Sequence, residues 1–240
     1  MPPVIDGFTD LVEVGRGGFG TVFRARQLDP ARDVAIKVLP DVRADSDAYG
    51  RFTREFQALA AVGGHPNIAT VHACGVTADG SGYLALELLD GGSLGERLRG
   101  GTAPWADAAA WGVQLAGALE TAHRAGITHR DIKPENVLFD AAGTPKLVDF
   151  GIAGVPGAYR TATGSVTLTL AHAAPEVVAG GRGGVPGDVY CLASTLYAAT
   201  AGGAQGADED GYGNAAQGNT RFSHGKIRLS DSSVCAELYC

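Results

Sequence analysis

The period of the apolar positions changes several times along the chain, and each change marks an element. Between residues 11 and 40 the pattern alternates. Thr21-Val22-Phe23-Arg24-Ala25-Arg26 sends successive side chains to opposite faces, and so does the approach to Val34-Ala35-Ile36-Lys37, which predicts short strands. From 46 to 62 the period becomes helical, because Tyr49, Phe52, Phe56, Leu59 and Ala60 follow one another at spacings of 3, 4, 3 and 1. His65-Pro66-Asn67 breaks that helix, and strands are expected over 68–75 and 83–89. Gly91-Gly92 reads as a flexible break and a lobe boundary. Beyond it, Trp111, Leu115, Leu119 and Ala122 share one face of a helix that starts near Asp107 and can end at Gly126. Short strands are expected around 127–128, 137–139 and 146–148, and a second long helix from near Asp188 to Thr200. After Ala201 the period is lost. Residues 202–218 are Gly, Ala, Asp and Gln with almost no large apolar side chain, which reads as loop or disorder, and the chain has no internal repeats.

Composition narrows the classes. The 240 residues suffice for one sizeable core or two small lobes, and 45% hydrophobic with 19% charged residues is the balance of a soluble globular protein. A net charge of -7 gives no basic footprint, so no nucleic-acid partner is expected. Cys74, Cys191, Cys235 and Cys240 show neither metal-ligand spacing nor a disulfide framework, which favours a reducing, cytoplasmic setting. The N-terminus MPPVIDGFTD is not a signal peptide, and no apolar run reaches the length of a membrane span; Ala108 to Leu119 comes nearest and contains Gln114. Anchoring through a segment absent from this chain is compatible with these facts. Of the 19 basic residues only four are lysines, Lys37, Lys133, Lys146 and Lys226, so a chain that otherwise uses arginine has kept lysine at a few places.

Two local patterns carry chemistry. Gly15-Arg16-Gly17-Gly18-Phe19-Gly20-Thr21-Val22 is a GxGxxGxV string, and glycines let backbone N–H groups approach phosphate oxygens with no Cβ in the way. Strand residues rather than a helix follow it, which excludes a dinucleotide fold, and the Gly-Lys-Ser/Thr ending of a Walker loop is absent. A glycine-rich hairpin tip closing over nucleotide phosphates fits both flanks, and an ordinary flexible turn is the competing reading. Further on, Lys37 ends an apolar strand on the same face as Ala35 and must meet an anion or water. Glu55 is its expected partner. It lies beside Phe52 and Leu59 on the helical stripe, where a charge is costly unless paired, although an exposed glutamate on the helix flank would also fit.

The most specific string is His129-Arg130-Asp131-Ile132-Lys133-Pro134-Glu135-Asn136, followed by Val137-Leu138-Phe139. With Asp149-Phe150-Gly151 and Ala174-Pro175-Glu176 downstream, the chain resembles the eukaryotic-type (Hanks-type) protein kinase superfamily, Ser/Thr branch, and is similar to its bacterial members. The resemblance covers roughly residues 8–203 and implies an α+β, bilobal fold. An N-lobe of antiparallel sheet plus one helix (8–89) would precede a mainly helical C-lobe (90–203), with 204–240 a divergent or disordered tail. It implies ATP and Mg²⁺ as cofactors and protein substrates bearing Ser or Thr. Asp131 would accept the hydrogen bond of the attacking hydroxyl, and Lys133 would neutralise the γ-phosphate. Asn136 and Asp149 would hold Mg²⁺, and Arg130 would pair with a phosphate on the activation segment.

The same resemblance implies that Gly15, Gly17, Gly18 and Gly20 cover the phosphates and that Lys37 and Glu55 pair. Val22, Ala35 and Leu138 would sandwich the adenine. Leu86 would be the gatekeeper, with Glu87 and Leu89 reading the adenine edge through their backbones. Leu59, Val71, His129 and Phe150 would stack between the lobes, and Asp188 would brace the catalytic loop. Thr169 would order Asp131 and Lys133, although the family's glycine before it is Leu168 here. Thr161, Thr163, Ser165 and Thr167 are candidate autophosphorylation sites. Beyond 203 the family's further helices and the arginine that pairs with Glu176 are not recognisable. A shifted reading frame, a truncated gene model or a divergent tail each gives that pattern. The implied function is phosphorylation of Ser/Thr hydroxyls on proteins; the alternative is a catalytically impaired ATP-binding or interaction module.

Overall fold

The chain divides into two units, Met1–Gly202 and Gly203–Cys240. The computed structural model describes residues 2–17, 20–44, 46–150, 171–181 and 183–201, all in the first unit. The expected tail over 204–240, the expected loop at 202–218 and Lys226 lie outside the described residues.

The alternating N-terminal pattern folds as a five-stranded antiparallel sheet in the order β1-β2-β3-β5-β4. Its strands are β1 (Phe8–Gly17), β2 (Gly20–Gln27), β3 (Arg32–Arg43), β4 (Val71–Val76) and β5 (Ser81–Glu87). Alternation gives each face a purpose. Phe23, Ala25, Val34, Ile36, Tyr83 and Ala85 form one apolar cluster that Ile5 closes. The opposite face carries Leu84, which packs with Val42 and with Phe52 of α1 (Asp47–Val62). Ser46 caps α1 by accepting from the Tyr49 amide at 3.3 Å, a serine N-cap. The register sets Val22 opposite Lys37 and Ala35 opposite Leu86, so these residues share the face that also meets α1.

The helical part is built on α3 (Trp105–Arg124), whose buried Ala108, Gly112, Leu115, Ala118, Leu119 and Ala122 follow a helical period. It packs against α5 (Val185–Ala201) within a core that also takes in Leu94, Ile132, Val137, Phe139, Leu147, Cys191 and Leu192. Between α3 and α5 lie a short antiparallel hairpin of β6 (Val137–Phe139) and β7 (Pro145–Leu147), and α4 (Pro175–Val178). Among the described residues no helix is long and apolar enough to cross a membrane.

Several expected boundaries move, each for a local reason. Residues 127–128 are not a strand: the Ile127 amide bonds back to the Ala122 carbonyl at 2.9 Å, as a continuation of the α3 C-terminus. β4 begins at Val71, because Ile68 and Ala69 turn instead to Leu147, where the Ala69 amide donates to the Leu147 carbonyl at 3.0 Å. β5 ends at Glu87, before Leu88 and Leu89. α5 begins three residues before Asp188, and its first turn contains Pro186, whose fixed φ suits that position.

A short α2 (Leu94–Leu98) was not anticipated, although Ser93-Leu94-Gly95-Glu96 spells its capping box, which the structure forms in both directions. Gly91-Gly92 is not a loose break. The Gly91 amide donates to the Phe139 carbonyl and the Phe139 amide to the Gly92 carbonyl, both at 2.9 Å. A Cβ on Gly91 would lie 2.6 Å from the Phe139 oxygen, so glycine is required for this docking. Leu115 is fully buried in the α3–α5 core, and Leu115→Ala is expected to lower the unfolding free energy by about 2–5 kcal/mol in urea titration.

Candidate active site

The site is assembled around one buried carboxylate. Asp188, in the first turn of α5, is 1% exposed and accepts three hydrogen bonds. The His129 amide donates to Oδ2 at 2.8 Å, the Arg130 amide to Oδ1 at 2.7 Å, and the His123 ring of α3 meets Oδ2 at 2.8 Å. Arg130 has φ +66°, a left-handed conformation that costs a non-glycine residue about 1–2 kcal/mol, and the Asp188 bonds hold it there. The left-handed residue turns the chain sharply just before Asp131.

Past that turn the charged residues converge. Lys133 Nζ contacts both Asp131 oxygens, at 2.8 and 3.1 Å. The Asn136 amide nitrogen donates to the Asp131 carbonyl at 2.7 Å and to its Oδ2 at 3.0 Å. Asn136 directly precedes β6, and its own carbonyl accepts from the Val148 amide at 3.1 Å, one residue beyond β7. The two-strand ladder therefore fixes Asn136 beside Asp149, which is itself left-handed at φ +60°. Asp149 Oδ2 lies 2.7 Å from Lys37 Nζ of β3, so the sheet meets the segment after β7 through a pair that is only partly solvated. With its amide nitrogen engaged by Asp131, Asn136 has its side-chain oxygen to offer. Asn136 and Asp149 each offer a hard oxygen of the kind Mg²⁺ can take from protein when phosphates and water supply the rest.

His129 is fully buried. In the neutral tautomer it donates from Nε2 to the Val148 carbonyl at 2.9 Å and accepts the Asp131 amide on Nδ1 at 3.4 Å. Burial pushes its pKa down, against the opposing fields of Asp188, Asp131 and Asp149. Its ring lies 4.6 Å from that of Phe150. Phe150, Leu59 and Val71 line one small cavity together with Leu86 and Asp149, so the residues expected to stack between the lobes come together.

Of the expected nucleotide residues, Val22, Ala35 and Leu86 lie on the sheet face that carries Lys37, and Leu138 is half-buried in β6. Gly15 and Gly17 end β1, and Gly17 pairs with Gly20 across the hairpin tip. Gly20 has φ +134°, and a Cβ there would fall 2.0 Å from the Val38 oxygen, so no larger residue fits. Glu55 is half-buried on α1, one turn from Leu59. Leu89 is half-buried after β5. Gly18, Gly151, Thr161, Thr163, Ser165, Thr167, Leu168 and Thr169 lie outside the described residues.

The side chain of Glu87 has a task the sequence reading did not give it. Lys146 Nζ contacts its two oxygens at 2.8 and 3.0 Å, and the Thr70 amide donates to Oε2 at 3.1 Å. Lys146 of β7 thereby ties the end of β5 to the strand that precedes Asp149. The signal was present in the composition: the three described lysines, Lys37, Lys133 and Lys146, each pair with a carboxylate at 2.7–2.8 Å. Asn67 was read only as a helix breaker, yet it bonds Gln114 of α3 at 3.0 Å and the Pro145 carbonyl at 2.7 Å.

Two outcomes follow. Asp188→Ala leaves three donors without their acceptor and is expected to destabilise the fold by about 3–5 kcal/mol in urea titration. The second concerns acid. His129 and His172 are both held below the usual imidazole value of 6.5 by burial. Below about pH 6.5 the unfolded chain therefore binds protons that the folded chain refuses, so stability falls as pH drops from there. Thermal unfolding followed between pH 7 and 5 checks this, and His129→Phe is expected to make the slope shallower.

The sequence matches the family described as Protein kinase domain over residues 8–228, past the point near 203 where the resemblance was expected to stop. Serine/threonine-protein kinase PknK of Mycobacterium tuberculosis (strain ATCC 25618 / H37Rv) is 44% identical over 197 residues, which cover 82% of this chain and 18% of the relative. Serine/threonine-protein kinase PknJ of the same strain is 43% identical over 190 residues, 77% of this chain and 32% of the relative. The chain thus spans less than a third of the length of these curated relatives. The crystal structure of the M. tuberculosis PknI kinase domain aligns with TM-score 0.66 and 30% identity, covering 83% of this chain and 74% of that one. By motif order, bilobal α+β architecture and these similarities, the chain belongs to the protein kinase domain family, in the bacterial part of its eukaryotic-type Ser/Thr branch.

Proposed function

We propose that this chain transfers the γ-phosphoryl group of ATP to serine or threonine hydroxyls of proteins, in a cytoplasmic setting and with autophosphorylation on the segment between Asp149 and Ala174. The observation that carries this reading is that Asp131 gathers Lys133 and Asn136 at 2.8–3.1 Å, while the Val148 amide, bonded to the Asn136 carbonyl at 3.1 Å, sets this cluster next to the Lys37–Asp149 pair of 2.7 Å. On this reading residues 8–89 are the lobe that covers the nucleotide, 90–203 the lobe that carries the catalytic loop, and 204–240 a divergent tail.

The reading assigns each residue a task. Asp131 receives the proton of the substrate hydroxyl as that oxygen bonds to phosphorus and the bond from phosphorus to the ADP oxygen breaks. Lys133, held 2.8 Å from Asp131 Oδ2, would offset the charge of the phosphoryl oxygens. Lys37 would pair with Glu55 and face the phosphates, while Asn136 and Asp149 would offer their oxygens to the metal. Mg²⁺, when bound there, neutralises charge on the phosphate oxygens. Gly15, Gly17, Gly18 and Gly20 let the hairpin tip approach those phosphates. Val22, Ala35, Leu138 and Leu86 enclose the adenine, which the Glu87 and Leu89 backbones orient. Thr169 steadies Asp131 and Lys133.

The test is transfer of labelled phosphate from ATP to myelin basic protein. Asp131→Asn is expected to lower the rate by about 10²–10⁴-fold while a thermal shift with Mg-ATP persists. A shift without any transfer in the unaltered chain would instead establish the nucleotide-binding module.

A further inference from the structure

The end of β5 is clamped from two sides. The Glu87 amide donates to the Thr70 carbonyl at 2.8 Å, and the Thr70 amide donates back to Glu87 Oε2 at 3.1 Å. Lys146 Nζ takes both carboxylate oxygens, at 2.8 and 3.0 Å. The lysine side chain is 12% exposed and that of Glu87 25%, so water competes little for either group. The two clamps are themselves joined. The Leu147 amide donates to the Asn67 carbonyl at 2.9 Å and the Ala69 amide to the Leu147 carbonyl at 3.0 Å, which lays residues 67–70 along β7. Lys146 also stands opposite Leu138 in the β6–β7 hairpin. One side chain therefore ties the end of β5 to the hairpin that carries Leu138, a wall of the expected adenine site.

We propose that Lys146 is a positioning residue for the nucleobase and sets the preference for adenine. The inference rests on the kinase reading, in which the Glu87 and Leu89 backbones orient the base. With its amide bonded to Thr70 and its side chain held at both oxygens, Glu87 has only ψ left about which its carbonyl can turn. A carbonyl accepts hydrogen bonds, so on the adenine edge it meets the exocyclic amine. A purine with an oxo group at that place offers a second acceptor and leaves the Glu87 oxygen unsatisfied, a mismatch that separates substrates sharply. Discrimination of this kind requires a carbonyl that does not swing away from the wrong base, and the clamp supplies that stiffness. Without the Lys146 ammonium the Glu87 carboxylate loses its counter-charge, turns toward water and takes its backbone with it. The Val148–Asn136 bond that sets Asp149 in place is made by backbone groups and does not use the Lys146 side chain, so the transfer step is spared.

Steady-state kinetics with ATP, ITP and myelin basic protein tests this. Lys146→Met is expected to raise KM for ATP about fivefold or more and KM for ITP by less than about twofold, so that the preference for ATP shrinks. The kcat and the KM for myelin basic protein are expected to change by less than about twofold. Lys146→Arg, which can still face both Glu87 oxygens, is expected to keep most of the preference. The double variant Glu87→Gln/Lys146→Met contains no stranded charge and is expected to lose the preference as Lys146→Met does. A Lys146→Met protein with its ATP preference intact overturns the proposal. An equal rise of KM for both nucleotides overturns it too, because the cleft has then loosened as a whole. So does a double variant with its preference restored, since the single defect then came from an unpaired carboxylate. Where Lys146→Met does not fold, the double variant and Lys146→Arg decide by the same criteria. Absence of transfer by the unaltered chain is a different failure, that of the kinase reading itself. The preference is then read without turnover, from the dissociation constants of Mg-ADP and Mg-IDP by calorimetry, with the same outcomes deciding.

Discussion

The carboxylate of Asp188 is the constraint on which the site depends. A fully buried aspartate is costly unless its oxygens are satisfied, and here they are met by two consecutive backbone amides and an imidazole. The amides belong to His129 and Arg130, so satisfying the charge fixes the one backbone turn that aims Asp131. The imidazole belongs to α3, so the same charge locks α3 to α5 beneath the loop. Stability and chemistry are coupled at this point. The energy that keeps Asp188 buried also keeps Arg130 in a conformation it would otherwise leave.

From that base the site is extended by lysine–carboxylate pairs of graded exposure. Lys133 stays within the catalytic loop on Asp131, Lys146 joins β7 to Glu87 at the end of β5, and Lys37 joins β3 to Asp149. Each pair bridges elements that are separate in sequence, except the first, which bends a loop onto itself. The side chains of Lys133 and Lys146 are 12–17% exposed, and that of Lys37 13%, shielded enough for the pairs to define geometry rather than merely decorate a surface. Asp149 is the most open partner at 35%.

Much of this was legible in the order of residues. Alternation in Val34-Ala35-Ile36-Lys37 placed Lys37 on the same face as Ala35, because side chains of a strand repeat every two residues, and the stripe through Phe52 and Leu59 set α1 correctly within a residue. The catalytic loop was legible as a string of residue types with specific donors and acceptors. What was not legible were contacts whose partners lie far apart in sequence and carry no periodic signature. Glu87 was assigned through its backbone, and its side-chain bond to Lys146 across 59 residues had only the scarcity of lysine to announce it. Gly91-Gly92 read as loose because glycine usually is, whereas here the missing Cβ permits close docking on Phe139.

The most direct test of the account is residue-resolved amide hydrogen exchange at His129 and Arg130. If the Asp188 carboxylate holds both N–H groups, they exchange as slowly as the interior amides of α3, although neither belongs to a helix or strand. If instead they exchange at the rate of exposed loop amides, the catalytic turn is not held from below, and the site described here is not the one the protein uses.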